Sequence, residues 1–231
     1  MKTIAIVMIR SGSEGLEDKN IKPFCGKPLC FWTIEQALKT RVFNDIWISS
    51  DSRHYLDLCE SEFGSSCTYL LRDSSLALST TTSYQTLEHL LLSSGEDDLV
   101  FVNLQVTSPI RTSSQIREAL DLYHSSGAEH LVTFTEGNKS RSLMMESSES
   151  GWLIPSRHGG NYRRQDEPVY LYPTGSIWVS SKSAYLKDTT FYSNRTKIYE
   201  VGKLYSYDID DQLDFLVCES LFSKFQKGEL P

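Results

Sequence analysis

Two aspartates one residue apart, Asp208 and Asp210, stand just ahead of an apolar periodic run that begins at Leu213. An extended backbone turns alternate side chains to the same side, so both carboxylates share a face. Like charges so placed repel unless a cation shares them, and their hard oxygens suit Mg²⁺. A plainer use also fits: Asp210 or Asp211 can cap the last helix, with Asp214 supporting its first turn. A second polar cluster follows the apolar run at residues 4–8, where Arg10, Ser11, Gly12, Ser13 and Gly15 lead to Lys19 and Asn20. Small residues let backbone N–H groups approach an anion, and Arg10 and Lys19 supply charge. An ordinary strand-to-helix connection with surface cations would read the same way. A third cluster, residues 105–111, offers the amide of Gln105, the hydroxyls of Thr107 and Ser108 and the guanidinium of Arg111. Those donors suit a polyhydroxylated or anionic ligand, or equally a capped loop entering a helix. Arg163 and Arg164 suit capture of an anion such as a substrate carboxylate, or a solvated surface pair, and Arg72 carries the same two readings.

The elements that must hold these groups follow from hydrophobic period. Residues 4–8 are a continuous apolar run and residues 99–104 an apolar run interrupted only by Asn103, the pattern of strands buried on both faces of a parallel sheet. Shorter strands are expected at 44–51, 68–71 and 130–135. Helical stripes lie between them: Leu29, Cys30, Thr33, Ile34, Ala37 and Leu38; then Tyr55, Leu56 and Cys59 behind a cap at Asp51; then Tyr84, Leu87 and Leu91 starting near Thr82. Ile116, Ala119, Leu120 and Tyr123 form the next stripe, capped by Thr112 or Ser113. This β-α-β alternation implies an α/β fold, a single Rossmann-like, mostly parallel sheet flanked by helices. Ligands of such sheets sit at the C-terminal strand ends, where the first and third clusters lie.

The pattern breaks after residue 136. The stretch to Tyr172 is polar, contains Gly151, Gly159 and Gly160, and holds only Trp152-Leu153-Ile154 as a candidate strand. The chain therefore reads as one domain over residues 1–231, with 136–175 an insertion that packs on a second subunit or covers the site. Order resumes after a Pro173-Thr174-Gly175 turn, with strands at 176–179, 198–201 and 204–207 and a short helix at 184–186. A last helix carries Leu213, Leu216, Val217 and Leu221.

Composition narrows the classes. With 39% hydrophobic and 23% charged residues, and a net charge of −7 without a basic run, the chain is a globular protein. That balance argues against a general nucleic-acid or membrane-surface binder. The first apolar run is too short for a signal peptide, and no segment approaches the ~20 apolar residues of a membrane span, so a cytoplasmic location is expected. Five scattered cysteines lack any Cys-x-x-Cys pair and support neither a disulfide framework nor a zinc ribbon. There is no Gly-x-Ser-x-Gly, His-Glu-x-x-His or Walker loop. The four tryptophans are expected in the core or at an interface.

Together these clusters resemble the CMP-N-acylneuraminate synthetases, the cytidylyltransferases that activate sialic acids, over about residues 4 to 217. The family's Ile-x-x-Arg-x-x-Ser-Lys-Gly followed by Lys-Asn is similar to Arg10, Ser13, Gly15, Lys19 and Asn20. Its Leu-Gln-Pro-Thr-Ser-Pro-Leu-Arg loop is similar to residues 104–111. Its Arg-Gln-Asp and Asn-Gly resemble Arg164-Gln165-Asp166 and Thr174-Gly175, and its Asp-Ile-Asp is Asp208-Ile209-Asp210. The four motifs occur in the family's order.

The resemblance implies an N-acylneuraminate cytidylyltransferase, which joins CMP from CTP to the anomeric hydroxyl of a nonulosonic acid and releases pyrophosphate. Arg10, Ser13, Gly15, Lys19, Asn20, Arg72 and Ser83 would surround the nucleotide. Gln105, Ser108, Arg164, Gln165 and Tyr172 would meet the sugar, with Arg164 reaching it across the two-fold axis of a homodimer. Asp208 and Asp210 would carry Mg²⁺, and with Arg10 and Lys19 form the catalytic set. The chain also departs from the family's pattern. Glu14 replaces the lysine of the first turn, Val106 a proline, Thr174 an asparagine and Trp178 a smaller aromatic, while Tyr172 stands where a second arginine can occur. Two other classes fit an Asp-x-Asp pair on a nucleotide fold: a glycosyltransferase consuming a sugar nucleotide, and a non-catalytic sugar-nucleotide-binding protein.

Overall fold

The computed structural model describes residues 1–12, 15–78, 80–137, 145–154 and 168–230. In chain order its elements are β1 (Lys2–Ile9), β2 (Pro23–Phe24), β3 (Lys27–Pro28), α1 (Leu29–Thr40), β4 (Asp45–Ser50), α2 (Arg53–Phe63), β5 (Thr68–Leu71), α3 (Ser83–Ser93), β6 (Leu99–Asn103) and α4 (Ser113–Ser126). Then follow β7 (His130–Glu136), β8 (Glu146–Ser147), β9 (Leu153–Ile154), β10 (Leu171–Ser181), α5 (Lys182–Asp188), β11 (Thr196–Glu200) and α6 (Gln212–Gln226).

Seven strands form one sheet in the order β11-β7-β10-β6-β1-β4-β5, with β10 antiparallel to both neighbours and the other pairings parallel. The two apolar runs are central because both their faces are covered. Ala5, Val7 and Ile9 pack with α1, α2, α4 and α6, while Ile4 and Ile6 pack with α3 and α5. Each fully buried side chain of this kind contributes about 1.5–3 kcal/mol. From β1 the chain steps outward to β4 and β5, then returns to β6 on the other side. The strand order therefore reverses between β1 and β6, and a crevice opens beyond their C-terminal ends. Among the described residues no helix is long and apolar enough to cross a membrane.

Several local expectations are corrected. Ser52 caps α2, accepting from Tyr55 N–H, and Asp51 is turned elsewhere. The Pro173-Thr174-Gly175 segment is a register shift inside β10, which starts at Leu171 and already pairs with β7 there. Residues Lys203–Ser206 form a 3-10 turn in place of a strand, closed by Tyr205 N–H on Gly202 O. The last helix buries Phe215, Cys218 and Phe222, leaving Leu213, Leu216 and Val217 exposed. That helix is apolar on more than one face, and the aromatic face wins because Phe24 packs against Phe215 and Phe222 at ring distances of 5.3 and 5.2 Å. Of the tryptophans, expected in the core or at an interface, Trp47 and Trp178 are buried and Trp152 is exposed on the single chain.

Candidate active site

The crevice at the sheet's reversal is a cavity of about 360 Å³. Arg10, Gly15, Lys19, Asn20, Arg72, Ser83, Gln105 and Asp210 line it, so eight residues singled out from five separate stretches of sequence meet in one place. Arg10 leaves the end of β1, and Asn20 fixes its backbone by donating from Nδ2 to Arg10 O at 2.8 Å. Lys19 Nζ donates to Ile209 O at 2.6 Å, tying the first loop to the Asp-x-Asp segment. Gly15 completes that contact: a Cβ there would lie 2.5 Å from Asp210 O.

Arg72 enters from the end of β5. Its Nη1 donates to Ser49 O at 2.6 Å, and its Nη2 lies 3.5 Å from Asp51 Oδ1. Its Nε is buried without a partner. Burial pulls the guanidinium below its ordinary pKa, Asp51 opposes that, and the charge of Arg10 adds to it. Two guanidiniums sharing one crevice are an anion site electrostatically. Ser83 is the first residue of α3, whose start is fixed by a capping box between Thr82 and Gln85, so the positive end of the helix dipole adjoins the cavity.

Asp210 is exposed at the cavity wall, and Asp208 is half-buried behind it. Asp208 Oδ1 accepts from Ser108 Oγ at 3.3 Å, and Ile209 N–H bonds Thr107 O at 2.9 Å. Burial raises the Asp208 carboxyl above the usual carboxylate range; Asp210 pushes the same way, while Thr107, Lys19 and Ser108 pull it down. Two carboxylates one residue apart at a cavity wall are a donor set that fits Mg²⁺, which takes one or two carboxylates and completes its shell with water and phosphate oxygens. Elsewhere among the described residues, Glu129, His130 and Asp188 bring three ligand atoms within 4.8 Å. Glu129 and Asp188 already pair with Lys187, and Glu129 also with Arg195, so that trio belongs to an ion-pair network.

Not every expected residue reaches the cavity. Ser108 is fully buried and holds Asp208 and Thr174 O instead of lining the wall. Tyr172 lies outside it with its hydroxyl 3.3 Å from Ser206 Oγ. Arg111 is no ligand donor: it is 1% exposed and donates to Ser176 O, Thr33 Oγ1 and Gln105 O. Ser13, Glu14, Arg163, Arg164 and Gln165 fall outside the described residues.

Residues 4–228 match the family model described as cytidylyltransferase. This chain belongs to the cytidylyltransferase family. Among its relatives, the N-acylneuraminate cytidylyltransferase of Streptococcus agalactiae serotype V is 41% identical over 220 residues, covering 94% of this chain and 52% of that protein. The CMP-N,N'-diacetyllegionaminic acid synthase of Legionella pneumophila is 28% identical over 243 residues, with 99% of each chain covered. The chain thus spans about half the length of the streptococcal relative and the whole of the Legionella one. Among solved structures, CMP:2-keto-3-deoxy-manno-octonic acid synthetase complexed with CTP superposes with a TM-score of 0.70 at 14% identity, covering 97% of this chain and all of that one. That likeness establishes the nucleotidyltransferase fold. Within this cytidylyltransferase, Thr107 of the third cluster lines the cavity as expected, whereas Asn103 and Thr86, which also line it, were not expected there. Asn103 left a signal, a polar residue closing an otherwise apolar buried strand. Thr86 left none, because its helical position reads as core.

Proposed function

We propose that the chain is an N-acylneuraminate-type cytidylyltransferase, moving CMP from CTP to the anomeric hydroxyl of a nonulosonic acid with release of pyrophosphate. The observation that carries this reading is the crevice itself. Arg10, Lys19, Arg72, Gln105 and Asp210 line it together, Lys19 rests on the backbone of the Asp-x-Asp segment, and Asp208 is half-buried. The anomeric oxygen bonds to the α-phosphorus, the bond from that phosphorus to the pyrophosphate oxygen breaks in line, and the hydroxyl proton leaves to solvent. Arg10 and Arg72 bind and orient the triphosphate, and Lys19 holds the first loop against the Asp-x-Asp backbone. Positioning and charge neutralisation supply most of the barrier reduction in phosphoryl chemistry. Asp208 and Asp210 would hold Mg²⁺, which when bound offsets negative charge on phosphate oxygens.

A panel of nonulosonic acids with CTP and Mg²⁺, read by pyrophosphate release, tests the reading. CTP binding without release from any acid would make the chain a non-catalytic nucleotide-binding member of its family. The match over residues 4–228 already sets the glycosyltransferase class aside.

The acceptor end is read from a second, smaller cavity of about 70 Å³, which shares Ser83, Asn103 and Gln105 with the main one and is walled by Tyr84, Leu87, Trp178, Tyr185 and Phe191. Trp178 Nε1 is buried without a hydrogen-bond partner. An unpaired donor among apolar walls favours a substituent with one acceptor and a small apolar body, the description of a short acyl group. Trp178→Phe should raise KM for an N-acylated acid about tenfold and leave KM for CTP unchanged, the loss of one buried hydrogen bond. Equal KM values for N-acylated and deaminated acids in the unmodified protein would defeat this reading.

Gly175 serves the same end. Its φ is +73°, and a Cβ would fall 2.3 Å from Gln105 Oε1. Gly175→Ala should displace Gln105 and cut kcat/KM for the acid roughly 10–100-fold, a small misplacement being that costly to an aligned reaction. CTP affinity measured by calorimetry should hold.

The domain is read as one cytidylyltransferase unit over 1–231, with 136–175 as its dimerisation or covering segment. Homodimerisation is supported by exposed apolar groups around the small β8–β9 hairpin, with Trp152 76% and Leu153 64% exposed. Monomeric soluble proteins rarely leave such patches contiguous. Sedimentation giving a monomer at micromolar concentration would remove that part, and with it Arg164 and Gln165 as groups offered to a partner's sugar. A cytoplasmic location, where CTP is made, completes the reading.

A further inference from the structure

Asp51, which faces Arg72 from outside the cavity lining, has a side chain only 8% exposed. Its Oδ1 accepts from Ser11 N–H at 3.0 Å and lies 3.5 Å from Arg72 Nη2; its Oδ2 accepts the Ser11 hydroxyl. Helix capping does not account for it, because Ser52 does that work. Ser11 opens the loop whose other side is pinned by Gly15 against Asp210 O and by Lys19 on Ile209 O. One carboxylate therefore links the loop after β1 to the guanidinium that enters from β5.

We propose that Asp51 is a positioning residue of the nucleotide site, clamping Ser11 and Arg72 so that Arg10 and Arg72 present their charges to the triphosphate at one fixed separation. The inference rests on the CTP reading given above. Two effects compete at such a carboxylate, and they differ in sign. As a bare negative charge near a triphosphate it would weaken binding, and its removal would tighten it. As a clamp it spends both oxygens on donors, and Arg72 offsets its charge. Burial and Arg10 both press Arg72 toward neutrality, and Asp51 is the group opposing them. Removing it leaves the two Ser11 donors short of an acceptor and two guanidiniums repelling each other, so the clamp should win.

The test compares Asp51→Asn and Ser11→Ala with the unmodified protein, using calorimetry with CTP and with tripolyphosphate, steady-state kinetics and thermal melts. Asp51→Asn should raise Kd for both anions and KM for CTP about tenfold, with KM for the acid unchanged. Ser11→Ala keeps the charge and loses one hydrogen bond, so a rise of about threefold is expected, and it carries the test should the first variant not fold. Unchanged or tighter anion binding overturns the proposal. So does a parallel rise in both KM values with a lowered melting temperature, the mark of a merely structural group. An unmodified protein that binds tripolyphosphate but neither binds CTP nor releases pyrophosphate would fail the CTP reading while the Asp51 comparison still stands. Binding of neither anion would overturn both.

Discussion

Asp208→Asn should abolish pyrophosphate release to within about a thousandfold of the starting rate and at the same time make the protein harder to melt. The first effect is the loss of a charged group proposed to hold Mg²⁺ at the reacting phosphate, about 4 kcal/mol of barrier at 1.36 kcal/mol per tenfold. The second follows from the carboxyl's environment. Burial and Asp210 raise its pKa in the folded protein. A raised folded pKa means that the protonated form favours the fold. That stability is complete below the unfolded value of about 3.9 and is lost as pH rises through the folded one. Asparagine stays neutral and can still accept from Ser108, so it should melt roughly 2–4 °C higher at neutral pH in the presence of a chelator. The gap should close as pH falls toward the unfolded carboxylate pKa. Asp210 is exposed, so Asp210→Asn should lose the same activity with no change in melting. Retained turnover in Asp208→Asn, or a lower melting temperature, would remove the paired-carboxylate assignment.

That opposition between activity and stability could not be read from the sequence, although the residues could. Asp208 and Asp210 announce themselves by spacing, but whether either is buried depends on Ser108 and Thr107, a hundred residues earlier. Short-range features were legible throughout. The runs that became β1 and β6 had no polar position to spare for solvent, and Thr112, one of two neighbouring caps expected for α4, became the cap through a capping box with Gln115. Features decided by partners far along the chain were not. Leu213 and Phe215 lie on different faces of α6, and Phe24 and Trp32, nearly two hundred residues away, select the aromatic one. Asp51 and Ser52 are both good caps by type, and only Ser11 and Arg72 draw the aspartate off. The cleft itself was legible because its residues sit at strand ends, where the alternation of elements already places ligands.

Arg111 shows the limit most sharply, and its replacement carries the largest expected cost in stability. A guanidinium in a polar loop reads as a ligand for anions, yet here it is sealed inside with no carboxylate bonded to it. Burial pushes its pKa down to about 9, with the charge of Asp208 acting the other way, so at neutral pH it remains a buried cation. What it gains is three acceptors on three elements: Ser176 O in β10, Thr33 Oγ1 in α1 and Gln105 O in the loop after β6. Arg111→Ala would leave those acceptors unpaired and open a large void, at a cost of about 3–5 kcal/mol. For a chain of this length that corresponds to a melting temperature lower by roughly 6–15 °C. Arg111→Lys keeps the charge but cannot fork to three oxygens, so it should fall between. Because Gln105 is one of the three, kcat/KM for the acid should drop in both variants even well below their melting points, while Kd for CTP moves little. If Arg111→Ala melted with the unmodified protein, the guanidinium would be a passenger in the core and not the tie between the Gln105 loop and the sheet.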